Sequence, residues 1–431
     1  MSDIKPLVLD VDGTYLKTDM LLESFWNALG RDPLGCLTTS IRHIGNRAAL
    51  KQGLARLAPL RTDLLPVNSD VQALAAESMR SGREVALASG SDESLVRQLA
   101  AEQGLTGRIF ASDGKTNLTG RRKAVELIAA YGENGFDYAG DAPVDRPVWQ
   151  AAENAIIVGH HPVIASDLAA TGHNVTEYDH RWRRRDLIRA LRPHQWVKNV
   201  LLFLPMIAAH RIDMAGLLIV LAAAIAFSAA ASSIYIVNDL LDLEADRLHP
   251  TKKNRPFASG AVPITVGMLA ALGLGSVALG LGLAISPAML GIVALYMSLS
   301  LAYSLKLKRM RWVDIATLAG LYTLRVIAGA IAAKVVATGF LIAFIFPTFI
   351  TLGCVKRLTE LTLATSDERL PGRGYGRPDR GDLLNVAALG SFGSLLVFFL
   401  YSFTAAADRL YPNTWQLWLA LVPLGGWQVR M

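Results

Sequence analysis

The sequence predicts an α/β domain of Rossmann-like construction followed by an all-α bundle of membrane-spanning helices. Three observations carry that expectation. The 431-residue chain is 52% hydrophobic and 18% charged, with a mean hydropathy of +0.34, too apolar for an ordinary soluble protein. The excess is uneven: residues up to about Arg192 read as a soluble domain, and most later ones as membrane. In the first part, short apolar runs end in Asp, Ser or Gly, the pattern of buried parallel strands carrying ligands at their carboxyl ends.

Composition also excludes some classes. Two cysteines, Cys36 and Cys354, lie in different halves and imply no disulfide framework. The formal charge of +7 could suggest nucleic acid, but the basic residues cluster at the ends of apolar runs, where membrane orientation explains them. The patch Arg181-Trp182-Arg183-Arg184-Arg185 reads as an anchor at a lipid surface. The chain starts without a signal-peptide apolar region, so the first domain is expected in the cytoplasm.

In the soluble part, Pro6–Asp10 ends in Asp10-Val11-Asp12-Gly13-Thr14. Two carboxylates two residues apart at a sheet edge suit a nucleophile, Asp10, and a general acid/base, Asp12. A second strand pattern, residues 84–88, leads to Ser89-Gly90-Ser91, which can bond a phosphate. Lys123 opens a helical pattern and can neutralise developing charge, with Lys115 the alternative. A third strand, residues 136–139, reaches Asp141 and Asp145, a Mg²⁺ end. His160-His161 follow a further strand and read as surface residues. These motifs, in this order, resemble the haloacid-dehalogenase-like phosphohydrolases over about residues 5–180. The resemblance implies Asp10 as nucleophile, Asp12 as acid/base, Ser89 and Lys123 on phosphate, and Asp10, Asp141 and Asp145 on Mg²⁺. The helical insert from about Tyr15 to Gly82 would be the small helical cap.

In the second part, a long apolar run ending at Val237 meets Asn238-Asp239-Leu240-Leu241-Asp242-Leu243-Glu244-Ala245-Asp246, and then His249-Pro250-Thr251-Lys252-Lys253-Asn254-Arg255-Pro256. If one helix continues through the acids, Asp239, Asp242 and Asp246 share a face. Three like charges at a helix mouth become favourable around a divalent cation that also binds phosphate oxygens. Eight apolar segments lie near 197–210, 215–237, 262–284, 288–304, 314–333, 338–355, 384–404 and 414–428. The loops after the second, fourth and sixth carry fourteen Lys and Arg, Arg369 and Arg373 among them, against three on the other side. That asymmetry puts the acidic motif in the cytoplasm, beside the first domain. Asp314 and Arg325 share a face of one helix and are expected either to pair, the favoured reading, or to flank a ligand, and Glu360 either to complete the metal site or to pair with Lys356.

The acidic motif with its basic sequel resembles the first signature of the UbiA family of membrane prenyltransferases, from about Leu187 onward. The stretches Leu191–Asn199, Tyr303–Lys308, Thr323–Gly329 and Lys356–Leu361 are similar to one branch, the polyprenyl-phosphate phosphoribosyltransferases. The resemblance implies a bundle of eight or nine spans, with Mg²⁺ at Asp239, Asp242 and Asp246. Lys356-Arg357-x-x-Glu360 stands where aromatic prenyltransferases carry a second acidic motif, which favours the phosphoribosyl branch; the eighth segment ends close to Met431. The expected organisation is a phosphohydrolase domain over 1–180, a basic linker over 181–196 and a transferase domain over 197–431. The expected activity is Mg²⁺-dependent transfer of 5-phosphoribose from phosphoribosyl diphosphate to polyprenyl phosphate. Asp239 and Asp242 would be catalytic, and Asn238, Lys252, Lys253, Arg255, Lys306, Arg325, Lys356 and Arg357 would bind substrate, with Glu360 joining the metal. The first domain would then remove the 5-phosphate. The alternative is prenyl transfer from a prenyl diphosphate to an aromatic acceptor, with the soluble domain an inert docking module for other cell-envelope enzymes. A transporter would instead place its acids near mid-bilayer.

Overall fold

The computed structural model describes residues 5–179, 181–363 and 374–430. Arg369, Arg373 and Met431 lie outside the described residues. The chain packs into two compact units, residues 1–190 with 239–269, and residues 191–238 with 270–431.

The first unit is built on six strands: β1 (Leu7–Leu9), β2 (Val85–Asp92), β3 (Ile109–Ser112), β4 (Asp137–Gly140), β5 (Asn154–Val158) and β6 (Asn174–Tyr178). All pair in parallel, in the order β3-β2-β1-β4-β5-β6. The central strand β1 is buried on both faces, which is why Leu-Val-Leu is apolar throughout rather than alternating. Between β1 and β2 stands the helical insert: α1 (Met20–Arg31), α2 (Pro33–Arg42), α3 (Arg47–Leu57) and α4 (Ser69–Arg80). Side chains of Asp19, Asp32, Asn46 and Asn68 accept from the first free amides of these four helices, so short polar residues set each start. The remaining helices alternate with strands as α5 (Glu93–Gln103), α6 (Arg121–Tyr131), α7 (Arg146–Ala151) and α8 (Pro162–Ala170).

Beyond the sheet come α9 (Arg184–Leu191), a 3₁₀ segment over Pro193–Phe203, α10 (Leu204–Ala208), α11 (Met214–Leu241) and α12 (Leu243–Leu248). The last turn of α11, α12 and the following loop belong to the first unit. Arg247 of α12 donates to both carboxylate oxygens of Glu23 on α1, at 3.0 and 2.6 Å. Arg31 at the end of α1 donates to Glu244 at 2.8 Å. The buried Arg247–Glu23 pair is bidentate, the geometry in which removing one charge strands the other.

The helices α13 (Ile264–Ile285), α14 (Pro287–Leu305), α15 (Val313–Ala332), α16 (Gly339–Thr362), α17 (Arg380–Tyr401), α18 (Ala405–Leu410) and α19 (Gln416–Val429) follow. Among the described residues, six helices are long and apolar enough to cross a membrane: α11, α13, α14, α15, α16 and the stretch Arg377–Tyr401. The first and last of the eight expected segments differ. The first is the 3₁₀ stretch and α10, with Pro193 and Pro205 each opening a new piece of helix. The last is α19, of 14 residues. Within the second unit, α15 is the most enclosed span and packs against α14, α16 and the 3₁₀ stretch. Gly329 permits that approach, because a Cβ there would stand 2.0 Å from the Leu202 carbonyl oxygen.

Candidate active sites

The carboxyl ends of β1 and β4 create the first site. Asp10 follows β1 directly, and its amide donates to the Ala139 carbonyl of β4, which locks the two strand ends together. Gly13 turns the chain with φ +76°, and a Cβ there would lie 2.2 Å from Asp141, so only glycine lets the loop pass. Lys123 of α6 donates to Asp10 Oδ1 at 2.8 Å, to Asp145 Oδ1 at 3.1 Å and to the Tyr138 hydroxyl at 2.8 Å. Lys115 is exposed elsewhere. Asp12 accepts from the Met20 amide at 2.8 Å and from Ser91 Oγ at 2.6 Å. Its carboxylate is thereby oriented by the first turn of the cap.

Oxygens of Asp10, Asp141 and Asp145 lie within 4.8 Å of one another. Asp145 Oδ2 is buried with no hydrogen-bond partner. Three hard oxygen donors around an orphaned buried carboxylate oxygen fit Mg²⁺, which would satisfy that atom. Burial pushes the Asp10 carboxyl well above the usual range, against the pull of Lys123. Burial lifts Asp141 to about 7, with Asp145 and Asp12 adding like charge. Burial alone would discharge Lys123, but Asp10 and Asp145 more than offset it and hold the ammonium. A ligand carboxylate must lose its proton to bind metal. The Mg²⁺ concentration that half-fills a site made of these acids is therefore expected to rise about tenfold for each pH unit below about 7, and to level off above it. Mg²⁺ titrations followed by calorimetry at a series of pH values check this.

These groups open into a cavity of about 720 Å³. Its walls include Lys51 from α3, Thr119, His160 and His161, Arg181 and Trp182, and Gly260, Pro263, Ile264 and Thr265 ahead of and within the start of α13. Ser89 is buried behind Asp12, donating to it at 3.3 Å and accepting from the Ser91 amide. His160 is exposed, as expected, whereas His161 is half-buried and its Nε2 donates to the Asp141 carbonyl at 2.6 Å. Arg181 and Trp182 line a pocket wall. Lys51, which donates to the Gly90 carbonyl and to Asn117, carried no motif in the sequence. Only the folding of the cap brings it here.

The second acidic group departs from a continuous helix. The helix α11 ends at Leu241, and Asp242 sits between helices with φ −103° and ψ 16° before α12 restarts. Asp239 and Asp246 are buried, and Arg255 bridges them, its Nη1 donating at 3.1 and 2.6 Å. Burial raises the Asp246 carboxyl, opposed by Arg255. The donor chemistry suits Mg²⁺, but the two buried acids converge on a guanidinium. Among the described residues, the acids of the first site are the one group of three that meets the spacing for a shared ion. Lys252 and Lys253 are exposed on a 3₁₀ turn, and Lys306 and Lys356 are exposed at helix ends.

In the second unit the expected Asp314–Arg325 pair does not form. Arg357 takes Asp314 instead, with Nε to Oδ2 at 2.6 Å and Nη2 to Oδ1 at 3.2 Å, both side chains fully buried. Glu360 also pairs with Arg357, one helical turn away, and Tyr303 donates to Asp314 at 2.8 Å. Arg325 donates to Asn199 at 3.0 Å, to the Leu321 carbonyl at 2.7 Å and to the Tyr296 hydroxyl at 2.8 Å. Eleven residues put Asp314 and Arg325 on one helix face but three turns apart, so each finds a nearer partner on another element.

Comparison with known proteins gives the context for this geometry. Residues 200–361 match the UbiA prenyltransferase family. A decaprenyl-phosphate phosphoribosyltransferase of Mycobacterium tuberculosis is 38% identical over 236 residues, covering 53% of this chain and 73% of its own. The chain belongs to the UbiA prenyltransferase family. Another relative of this UbiA-family chain, uncharacterized protein y4nM of Sinorhizobium fredii, is 32% identical over 426 residues, 97% of this chain and 82% of its own. Among solved structures, a phosphoserine phosphatase aligns with 43% of the chain and 97% of its own at 16% identity, with a TM-score of 0.30. So distant a likeness adds nothing to the first site, which is read from its own residues.

The Arg357 network in this UbiA-family chain supports a stability prediction. Arg357→Met leaves Asp314 buried without its bidentate partner and is expected to cost about 3–5 kcal/mol. The double variant with Asp314→Leu should recover most of that loss. Thermal unfolding in detergent for the two single variants and the double variant measures both effects.

Proposed function

We propose that this protein transfers 5-phosphoribose from phosphoribosyl diphosphate to a polyprenyl phosphate, and that its N-terminal domain then hydrolyses the 5-phosphate of that product. The observation that carries the first step is the 38% identity to a decaprenyl-phosphate phosphoribosyltransferase across the membrane half. An oxygen of the lipid phosphate attacks the anomeric carbon of the ribose, and diphosphate leaves with the bonding electrons. Asp239, Asp242 and Asp246 would hold Mg²⁺, which supplies charge neutralisation for the departing diphosphate. Arg255, which bridges two of these acids, would be available to phosphate oxygens once the acids held a cation, and Lys252, Lys253 and Lys356 would hold the remaining charge.

In the second step Asp10 attacks the phosphorus of the monoester, Asp12 protonates the leaving oxygen and then takes a proton from the water that attacks the phosphoryl group on Asp10, releasing inorganic phosphate and restoring the carboxylate, while Lys123 balances the charge. Pro263 and Thr265, at the entry to a membrane-length helix, wall the cavity, and this supports a substrate presented from a lipid.

Membrane topology is consistent with both steps. The N-terminal domain and residues 239–269 form one compact unit, which supports a path that leaves one membrane face and returns to it. The helix α11 crosses once. The 3₁₀ stretch and α10 together are long enough to supply the other: eleven residues at ~2.0 Å and five at ~1.5 Å reach about 30 Å, the thickness of the hydrocarbon core. The excess of Lys and Arg in the loops on this side supports a position on the cytoplasmic face of the plasma membrane.

Mass spectrometry tests the proposal. Full-length protein in lipid discs with polyprenyl phosphate and Mg²⁺ receives phosphoribosyl diphosphate labelled in both the ribose carbons and the 5-phosphate. The expected product carries the ribose label on lipid while the phosphorus label appears as inorganic phosphate. If only labelled prenyl diphosphate, with an aromatic acceptor, yields product, the phosphoribosyl reading fails.

A further inference from the structure

The cap helix α2 is built inside out. Its inward side is small and polar, with Gly35, Cys36, Thr39 and Ser40 against its neighbours. Outside, Leu34, Leu37, Ile41 and Ile44 are 77%, 48%, 70% and 84% exposed. Their spacing of three, four and three residues gathers them into one stripe along the helix and just past its end. Thr38 interrupts the stripe only in name, because its hydroxyl donates to the Leu34 carbonyl at 2.9 Å and asks nothing of solvent. Exposed Arg42 and Arg47 flank the stripe.

The place of this helix in the fold identifies what covers it. The preceding helix, α1, ends against the last turn of α11, a helix long and apolar enough to cross a membrane. A Cβ on Gly30 would lie 3.4 Å from the Leu241 carbonyl oxygen, and Arg31 pairs with Glu244 just beyond it. Pro33 opens α2 two residues later. The stripe therefore starts at the level where α11 leaves the bilayer. We propose that α2 lies in the membrane–water interface, with Leu34, Leu37, Ile41 and Ile44 in the acyl boundary and Arg42 and Arg47 on anionic headgroups. The occupant of this face is phospholipid, and the cap that orients Asp12 through the Met20 amide is held on the bilayer surface.

The test uses the full-length chain in discs of anionic phospholipid. Leu37→Cys and Ile41→Cys are each labelled with an environment-sensitive fluorophore, and Glu77→Cys on the exposed side of α4 serves as the reference. The two native cysteines are buried, so labelling is confined to the new thiols. The expected result is blue-shifted emission at positions 37 and 41, quenched severalfold by nitroxide-bearing lipid and little affected by aqueous iodide, with the opposite pattern at position 77. Quenching by iodide and not by lipid at 37 and 41 overturns the proposal. So does shielding from both quenchers that vanishes in discs holding a single copy, since a second chain would then be the cover. Hydrogen exchange over residues 34–44 of the unsubstituted chain gives an independent reading, with protection in anionic discs expected and its absence contrary.

Discussion

Replacing Asp10 with asparagine is expected to lower phosphate release from the lipid-linked product by at least about a thousandfold while leaving ribose transfer intact. The amide keeps the shape of the side chain and its place beside Lys123, but it has no anionic oxygen with which to attack phosphorus. The doubly labelled assay reads both steps at once. The variant should accumulate lipid carrying both labels, where the parent protein accumulates lipid carrying ribose alone. Unchanged release of labelled phosphate would remove the N-terminal domain from the chemistry. Asp145→Asn, which alters the buried oxygen with no hydrogen-bond partner, should weaken Mg²⁺ activation and leave the protein folded.

Neutralising Asp239 and Asp242 together is expected to abolish the first step, by at least about a thousandfold, with no lipid-linked ribose formed. Asp239 is buried and bonded to Arg255, so Asp239→Asn removes both a hard donor and the charge that holds Arg255 in reserve. The N-terminal domain keeps its own acids and should still hydrolyse pre-formed lipid-linked phosphoribose. That contrast separates loss of a metal site from general unfolding. Retained, Mg²⁺-dependent transfer in the double variant would dispose of the acidic motif as the diphosphate site.

The two predictions rest on residues that were legible to different degrees. The strand–Asp-x-Asp-Gly-Thr pattern is local, and each part has a local cause: burial makes β1 apolar, and the close pass of Asp141 demands Gly13. Lys123 was legible because a helix start after a strand restricts where a cation can stand. Ser89 and Ser91 lie two residues apart on β2, so the pleat turns both hydroxyls to the same side, where both donate to Asp12 Oδ2. Lys51 could not be found, since nothing in its neighbours along the chain distinguishes it from any surface lysine. In the membrane half, hydropathy located the six long helices, and at the two ends of the half proline and short length produce 3₁₀ and short helix in place of a long one.

By itself the sequence determined the class of the protein: where strands and spans fall, which acids are grouped, and on which side of the spans the basic residues collect. All of these follow from composition and spacing within a turn or a strand. Tertiary structure alone decided which charges meet. Lys123 reaches Asp10 across 113 residues, Arg357 takes Asp314 across 43, and Arg247 clasps Glu23 across 224. The reason is energetic: a charge withdrawn from water must find an opposite partner at hydrogen-bond distance, and packing, not proximity along the chain, determines which one is in reach.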